Sequence, residues 1–279
     1  MPGRRPWLLA GLSAVLPRPA LAASLAQIEA RVGGRLGVVA QDGATRFAHR
    51  AAERFPMAST FKALLAAAIL ARVDAGEDRL DRRLPVPREG LIPWSPVTQP
   101  RAGGEMSLGE LCAAIMTISD NTAANLLLGV VGGPAGLTAW LRRAGDATTR
   151  LDRTEPTLNE ATPGDPRDTS TPEAFGATLG RIALGDVLSQ PSRAQFQAWM
   201  IGNGTGGARL RAGLPPGWRV GDRTGGAAHG TSNVVGVLWP PGDARPWVVA
   251  AFLTECAAEP AARDAALADV ARLLVAQHS

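Results

Sequence analysis

The 279-residue sequence has almost no lysine: 29 residues are lysine or arginine, and only Lys62 is a lysine. A guanidinium stays protonated at any physiological pH, whereas an amine gives up its proton when desolvated. A lone lysine three residues after Ser59, in PMASTFKALLAAAILARV, therefore marks a place that needs a base and not merely a charge. Histidine is scarce as well. His49, His229 and His278 follow no metal-ligand spacing. Their scatter gives little support to a Ser-His-Asp hydrolase, so a serine nucleophile would need another base. The two cysteines, Cys112 and Cys256, lack C-x-x-C spacing and read as buried free thiols, with a mutual disulfide as the alternative in an exported protein. No dense basic stripe interleaves with aromatics, which argues against nucleic acid as a partner. No internal repeat and no low-complexity tract is present.

The chain is long enough to bury a substantial core, and at 46% hydrophobic and 19% charged it is neither disordered nor fibrous. It opens MPGRRPWLLAGLSAVLPRPALAAS: a basic start at Arg4 and Arg5, a short apolar run from Trp7 to Leu16, and an A-x-A site at Ala20–Ala22. That pattern is a secretory signal over residues 1–22, too short to span a membrane. RRPWL also resembles a twin-arginine export signal. A buried N-terminal helix is the competing reading, and Pro17 and Pro19 are expected to break it. Cleavage removes three arginines and no acid, lowering the formal net charge from +4 to +1. The basic balance is thus a matter of many scattered arginines, not of a basic face.

Along the chain, Leu25, Ile28 and Val32 recur at helical spacing before Gly33-Gly34. RLGVVAQD and TRFAHRA read as strands joined at Asp42-Gly43. An Ala/Leu-rich helix is expected over 61–75, loop over 85–104, and helices near 107–118, 122–130, 134–144, 171–184 and 192–201, with a long polar loop over 146–171. Two strands around Pro-Gly-Asp and a last helix over 261–277 close the chain. Strands near both ends and helices between them predict an α+β architecture. Both ends would share one antiparallel sheet covered by terminal helices, with a helical part inserted and a cleft between the two.

Ser59 begins the 61–75 helix, and a spacing of three places the Lys62 amine near its hydroxyl. The helix N-terminus offers free N–H groups and a positive end to a developing oxyanion. Taken alone, S-x-x-K is degenerate, and a cap with a solvated lysine explains it equally. Three more motifs follow. MTISDNTAANLL carries Ser119-Asp120-Asn121 between two helices, RTEPTLNEATPGDPRD carries Glu155 and Asn159 in the long loop, and GDRTGGAAHGT carries Arg223-Thr224-Gly225 ahead of a strand.

In this order the four motifs resemble those of the class A serine β-lactamases, over essentially the whole mature chain. The resemblance implies an α/β (α+β) fold of the β-lactamase/transpeptidase type, with a five-stranded antiparallel sheet flanked by terminal helices. Its parts would be residues 23–58 and 206–279 as the α/β domain and 59–205 as the inserted all-α domain, with an Ω-loop over 153–168. It implies that Ser59 attacks the lactam carbonyl, with Lys62 as proton partner and the N–H groups of Ser59 and Gly226 holding the oxyanion. Ser119 would relay a proton to the leaving nitrogen, and Asn121 would hold Lys62 and the substrate amide. Glu155, as general base, and Asn159 would hold the deacylating water. Asp120 would tie down its loop, the bond before Pro156 would be cis, and Arg153 with Asp168 would close the neck of the Ω-loop. Trp94 falls where relatives place an aromatic wall.

This sequence departs from the family pattern in places. Arg223 replaces the lysine of K-T-G, a change shared with carboxypenicillin-hydrolysing relatives. Ser232 stands where many relatives supply an arginine, and Arg209 matches the alternative one. With Thr224 and Gly225 these would bind the substrate. By the family alignment Cys112 faces Ala66, and Ala58 and Ala227 replace another cysteine pair, so neither familiar disulfide can form. The expected protein is a periplasmic, monomeric hydrolase of small-molecule β-lactams, penicillins and some cephalosporins. No metal, cofactor or membrane anchor is implied. A D-Ala-D-Ala peptidase is the second reading, which Glu155 and Asn159 oppose. A β-lactam-binding sensor that stays acylated is the third.

Overall fold

The computed structural model describes residues 18–276 except Asp243, and side-chain surroundings from residue 24 onward. Most of the expected signal segment (residues 1–17), His278 and residue 277, the expected end of the last helix, lie outside the described residues. Helix α1 (Arg18–Val32) leads into strands β1 (Arg35–Gln41) and β2 (Arg46–His49), which turn at Gly43 with φ +89°. Pro19 does not break α1. It stands in the first turn, where a missing N–H removes no intrahelical bond.

A two-residue strand β3 (Phe55–Pro56) pairs with β6 (Thr169–Ser170), and a 3-10 turn (Ala58–Thr60) feeds helix α2 (Phe61–Asp74). Every residue of α2 from Phe61 to Leu70 is buried, so this Ala/Leu helix is the axis of the helical part. Around it stand α3 (Leu108–Thr117), α4 (Asn121–Val130), α5 (Gly133–Arg143) and α7 (Gln190–Ile201), while α6 (Pro172–Ala183) packs against β1 and the later strands of the sheet. Ser107 starts α3 with a capping box to Glu110, and Asp120 and Thr171 cap α4 and α6. The expected loop over 85–104 is flanked by a short ribbon, β4 (Arg83–Pro85) with β5 (Glu105–Ser107). Its three-residue strands are too short to leave a readable alternation in the sequence.

The chain returns through β7 (Arg219–Ala227), β8 (Thr231–Trp239), β9 (Trp247–Thr254) and α8 (Pro260–Val275). The five-stranded sheet is antiparallel, in the order β2-β1-β9-β8-β7, so first and last segments share it as expected. Arg223, Thr224 and Gly225 lie within β7 and not ahead of a strand; the three glycines of the segment hid its strand pattern. Successive residues of β9 alternate between two cores. Val248, Ala250 and Phe252 face the helical part, while Val249, Ala251 and Leu253 face α1 and α8. Both sheet faces are therefore covered. No single helix among the described residues is long and apolar enough to cross a membrane.

Candidate active site

Ser59 sits in the 3-10 turn immediately before α2, preceded by Ala58 with φ +45°. A left-handed alanine is strained, and several bonds hold this turn in place. Asp168 O accepts from Met57 N at 2.9 Å, and Asn233 Nδ2, on β8, donates to Pro56 O at 2.8 Å and Met57 O at 3.1 Å. Strand β7 lies directly against the turn: a Cβ on Gly225 would come within 2.9 Å of Met57 O and 3.1 Å of Ser59 N. Only glycine permits that approach.

The spacing of Ser59 and Lys62 does what helical geometry predicts, with Lys62 Nζ 3.0 Å from Ser59 Oγ. Lys62 is fully buried, and its ammonium also reaches Ser119 O at 3.0 Å, Ser119 Oγ at 3.2 Å, Asn121 Oδ1 at 2.5 Å and Glu155 Oε1 at 2.9 Å. Burial pushes its pKa down to about 8; the Glu155 carboxylate opposes that fall and Arg223 adds to it. Ser119 is delivered by a left-handed backbone, φ +70°. Beside it Asp120 accepts from Val97 N, Thr98 N, Thr98 Oγ1 and Ala123 N, all at 2.8–2.9 Å, and so ties the 91–98 loop to α4. Asn121 Nδ2 fastens the same loop through Pro93 O at 2.8 Å. Trp94 stands on it, 64% exposed and with φ +64°, its Nε1 donating to Ile118 O at 3.0 Å.

Glu155 enters from the long loop. Its bond to Pro156 is cis, and Asp168 accepts from Arg153 Nε at 2.6 Å and from the N–H groups of Asp152 and Arg153 at the loop neck. Ser59 Oγ lies 3.3 Å from Glu155 Oε1, and Asn159 Nδ2 donates to Oε2 at 2.6 Å. Asn159 Oδ1 is buried and has no partner among the described residues. Sequence reading missed Asn125, which binds both sides of the Glu155 backbone, accepting from Glu155 N at 3.0 Å and donating to Glu155 O at 2.9 Å. Its only signal was its place one helical turn after Asn121.

The open cleft, about 330 Å³, is lined by Ser59, Trp94, Ser119, Asn121, Asn159, Arg209, Thr224, Gly225 and Gly226, together with Thr205. Thr205 was not foreseen; its hydroxyl meets that of Thr224 at 2.5 Å. Arg209 is moored on three sides, to Asp264 at 2.8 Å, Gly225 O at 2.9 Å and Asn233 O at 2.5 Å. Arg223 does not line the cleft. Its fully buried guanidinium donates to Thr224 O at 2.9 Å, and burial lowers its pKa to about 10, so it remains a cation at neutral pH beneath the cleft floor. Cys112 and Cys256 are buried and free, and burial pushes the Cys112 thiol well above its usual range.

A hydroxyl touched by an amine and a carboxylate inside a mixed α/β fold defines a serine hydrolase site with no histidine. Comparison with known proteins places it further. A model of the β-lactamase enzyme family matches residues 20–278. The chain is 48% identical over 254 residues to β-lactamase L2 of Stenotrophomonas maltophilia, covering 90% of this chain and 84% of that one. It is 44% identical over 271 residues to β-lactamase OXY-2 of Klebsiella oxytoca, covering 96% and 93%. A solved structure of an ancestral class A β-lactamase superposes with a TM-score of 0.90 at 58% identity, covering 91% of this chain and 98% of that one. The chain belongs to the class A β-lactamases, enzymes that hydrolyse β-lactams and confer resistance to them.

Proposed function

We propose that the enzyme opens penicillins, including carboxypenicillins, and some cephalosporins through an acyl-enzyme on Ser59, which a Glu155-activated water then hydrolyses. The observation that carries this reading is the meeting of Lys62 Nζ and Glu155 Oε1 at one hydroxyl, Ser59 Oγ, at 3.0 and 3.3 Å. In acylation the hydroxyl proton passes to this pair, Oγ bonds to the lactam carbonyl carbon, and the C–N bond breaks. Ser119, which touches Lys62, returns a proton to the departing nitrogen. The N–H groups of Ser59 and Gly226 receive the oxyanion, each such donor being worth about 10²–10³ in rate.

In deacylation Glu155 takes a proton from water, the oxygen attacks the ester, and Ser59 leaves. The free Oδ1 of Asn159 supports this role, since with Glu155 it offers a water two acceptors on one side of the ester. Arg209 and the buried charge of Arg223 attract the substrate carboxylate toward Thr224 and Gly225, Asn121 holds its amide, and Trp94 walls the mouth. Asp120, Arg153, Pro156 and Asp168 shape the loops that present these groups. The same reading carries export by a signal over residues 1–22 to the periplasm, a monomer, and the division at 59 and 206.

Turnover tests it. With Glu155→Ala, a chromogenic cephalosporin gives one stoichiometric burst, and intact-mass spectrometry finds the acyl adduct persisting on Ser59. Undiminished steady-state hydrolysis by that variant sinks the assignment.

A further inference from the structure

A second cavity, about 510 Å³, opens between α6 and the loop 145–149 and shares no lining residue with the catalytic cleft. Two of its walls carry guanidiniums, Arg54 and Arg181, and neither forms an ion pair among the described residues. Arg54 spends Nη1 on Thr148 O at 3.1 Å and Thr169 Oγ1 at 3.0 Å, which leaves Nε and Nη2 without a partner among the described residues. Arg181 donates from Nη2 to Thr178 Oγ1 at 3.2 Å, and its buried Nε has no partner. It packs over Gly145, where a Cβ would come within 2.9 Å of Nη1.

Two acids also line the cavity, and both are engaged. Asp146 accepts from Thr148 N, Thr149 N, Thr149 Oγ1 and Thr178 Oγ1 at 2.6–2.9 Å, while Glu173 is paired with Arg46 at 2.9 Å. Behind the same loop Arg142, without a carboxylate partner among the described residues, donates to Asp146 O and Thr149 O at 2.5 and 2.7 Å. The first turn of α6 contributes no free donor: Glu173 N and Ala174 N are bonded to Ala51 O and Thr171 Oγ1. The unmatched donors are therefore the two arginine forks, whose planar geometry suits a phosphate or similar oxyanion.

We propose that this cavity binds a doubly charged tetrahedral oxyanion, free phosphate or a phosphate monoester, held between Arg54 and Arg181. A dianion neutralises both guanidiniums, where a single carboxylate leaves one unmatched. Bound there, it braces α6 against the base of the Ω-loop, because Arg54 already holds Thr169, the neighbour of Asp168.

The test is thermal unfolding of the whole enzyme in inorganic phosphate, at constant ionic strength made up with sodium chloride and at a pH where phosphate is a dianion. A ligand specific to the native state raises the midpoint with the logarithm of its concentration above Kd, by about 5–10 °C at a hundredfold excess over Kd. Arg54→Gln and Arg181→Gln lose that rise and keep unaltered hydrolysis of a chromogenic cephalosporin without phosphate, and Arg181→Lys keeps a weaker rise. An equal rise in all proteins, or one matched by sodium chloride, overturns the proposal. Should the Gln variants not fold, calorimetric titration of the unaltered enzyme decides: one-site saturation supports the site and its absence refutes it. Tighter binding of glycerol 3-phosphate than of phosphate identifies a monoester as occupant, and equal or weaker binding identifies free phosphate.

Discussion

Lys62 works at the boundary between charge and base. Desolvation brings its pKa down to about 8, so the free amine lies far closer to neutral pH than in an exposed lysine. The Glu155 charge is among the groups that hold that value up. On the proposed mechanism, Lys62 is then the remaining base at Ser59 in Glu155→Gln, and its pKa falls further. The single-turnover acylation rate of that variant should rise about tenfold per pH unit at low pH and level off below pH 8; a profile flat from pH 5 to 8 excludes the amine as base. Asn125 acts through Glu155. Asn125→Ala removes both bonds to the Glu155 backbone, each worth about 1–3 kcal/mol when a buried partner is left unsatisfied. Deacylation should slow by about tenfold or more while kcat/KM changes little, so kcat and KM fall together. Equal losses in kcat and kcat/KM would assign Asn125 to acylation instead.

The loop from Arg153 to Asp168 presents Glu155, and its neck is the element's weak point. Asp168 accepts three bonds from Asp152 and Arg153 with its two oxygens while nearly fully buried. Asp168→Asn keeps the volume and loses the charge, leaving Arg153 with the exposed Glu160 as its remaining acid partner. Hydrogen bonds to charged groups are worth about 1.5–3 kcal/mol, so the loop should open before the domain unfolds. Limited proteolysis should then nick residues 160–167 several-fold faster than in the unaltered enzyme, with global unfolding shifted less. Unchanged nicking would show that Pro156 and the β3–β6 pairing suffice to hold the loop.

At the scale of the molecule, one carboxylate ties α1 to the sheet. Glu29 accepts from Leu36 N at 2.9 Å, His49 Nε2 at 3.1 Å, and Arg50 Nε and Nη2 at 2.7 and 2.8 Å. The bonds from Arg50 lead in lowering its pKa from 4.5 to about 2. A depressed carboxylate favours the folded state fully above pH 4.5, and that contribution is lost as pH falls through 2. Urea unfolding of Glu29→Gln should show a shallower loss of stability between pH 5 and 2 than the parent. Parallel curves would mean that other carboxylates govern acid unfolding.

Much of this was legible in the chain itself, because its signals are local. Periodicity marked the helices, Asp42-Gly43 marked the first hairpin, and the interval between Ser59 and Lys62 follows from the pitch of one helix. The four motifs named most of the cleft residues because each side chain's chemistry is fixed by its type. What the sequence left open depends on distance through space. Only tertiary packing could show Arg223 sealed beneath the floor and not lining the cleft, since exposure is decided by what covers a residue. Asn125 and Asn233 look like any helical or strand asparagine until folding brings Glu155 and Met57 to them. The same holds for Lys62: its identity permits a free amine, but burial, opposed by the Glu155 carboxylate and aided by the Arg223 cation, sets where it titrates.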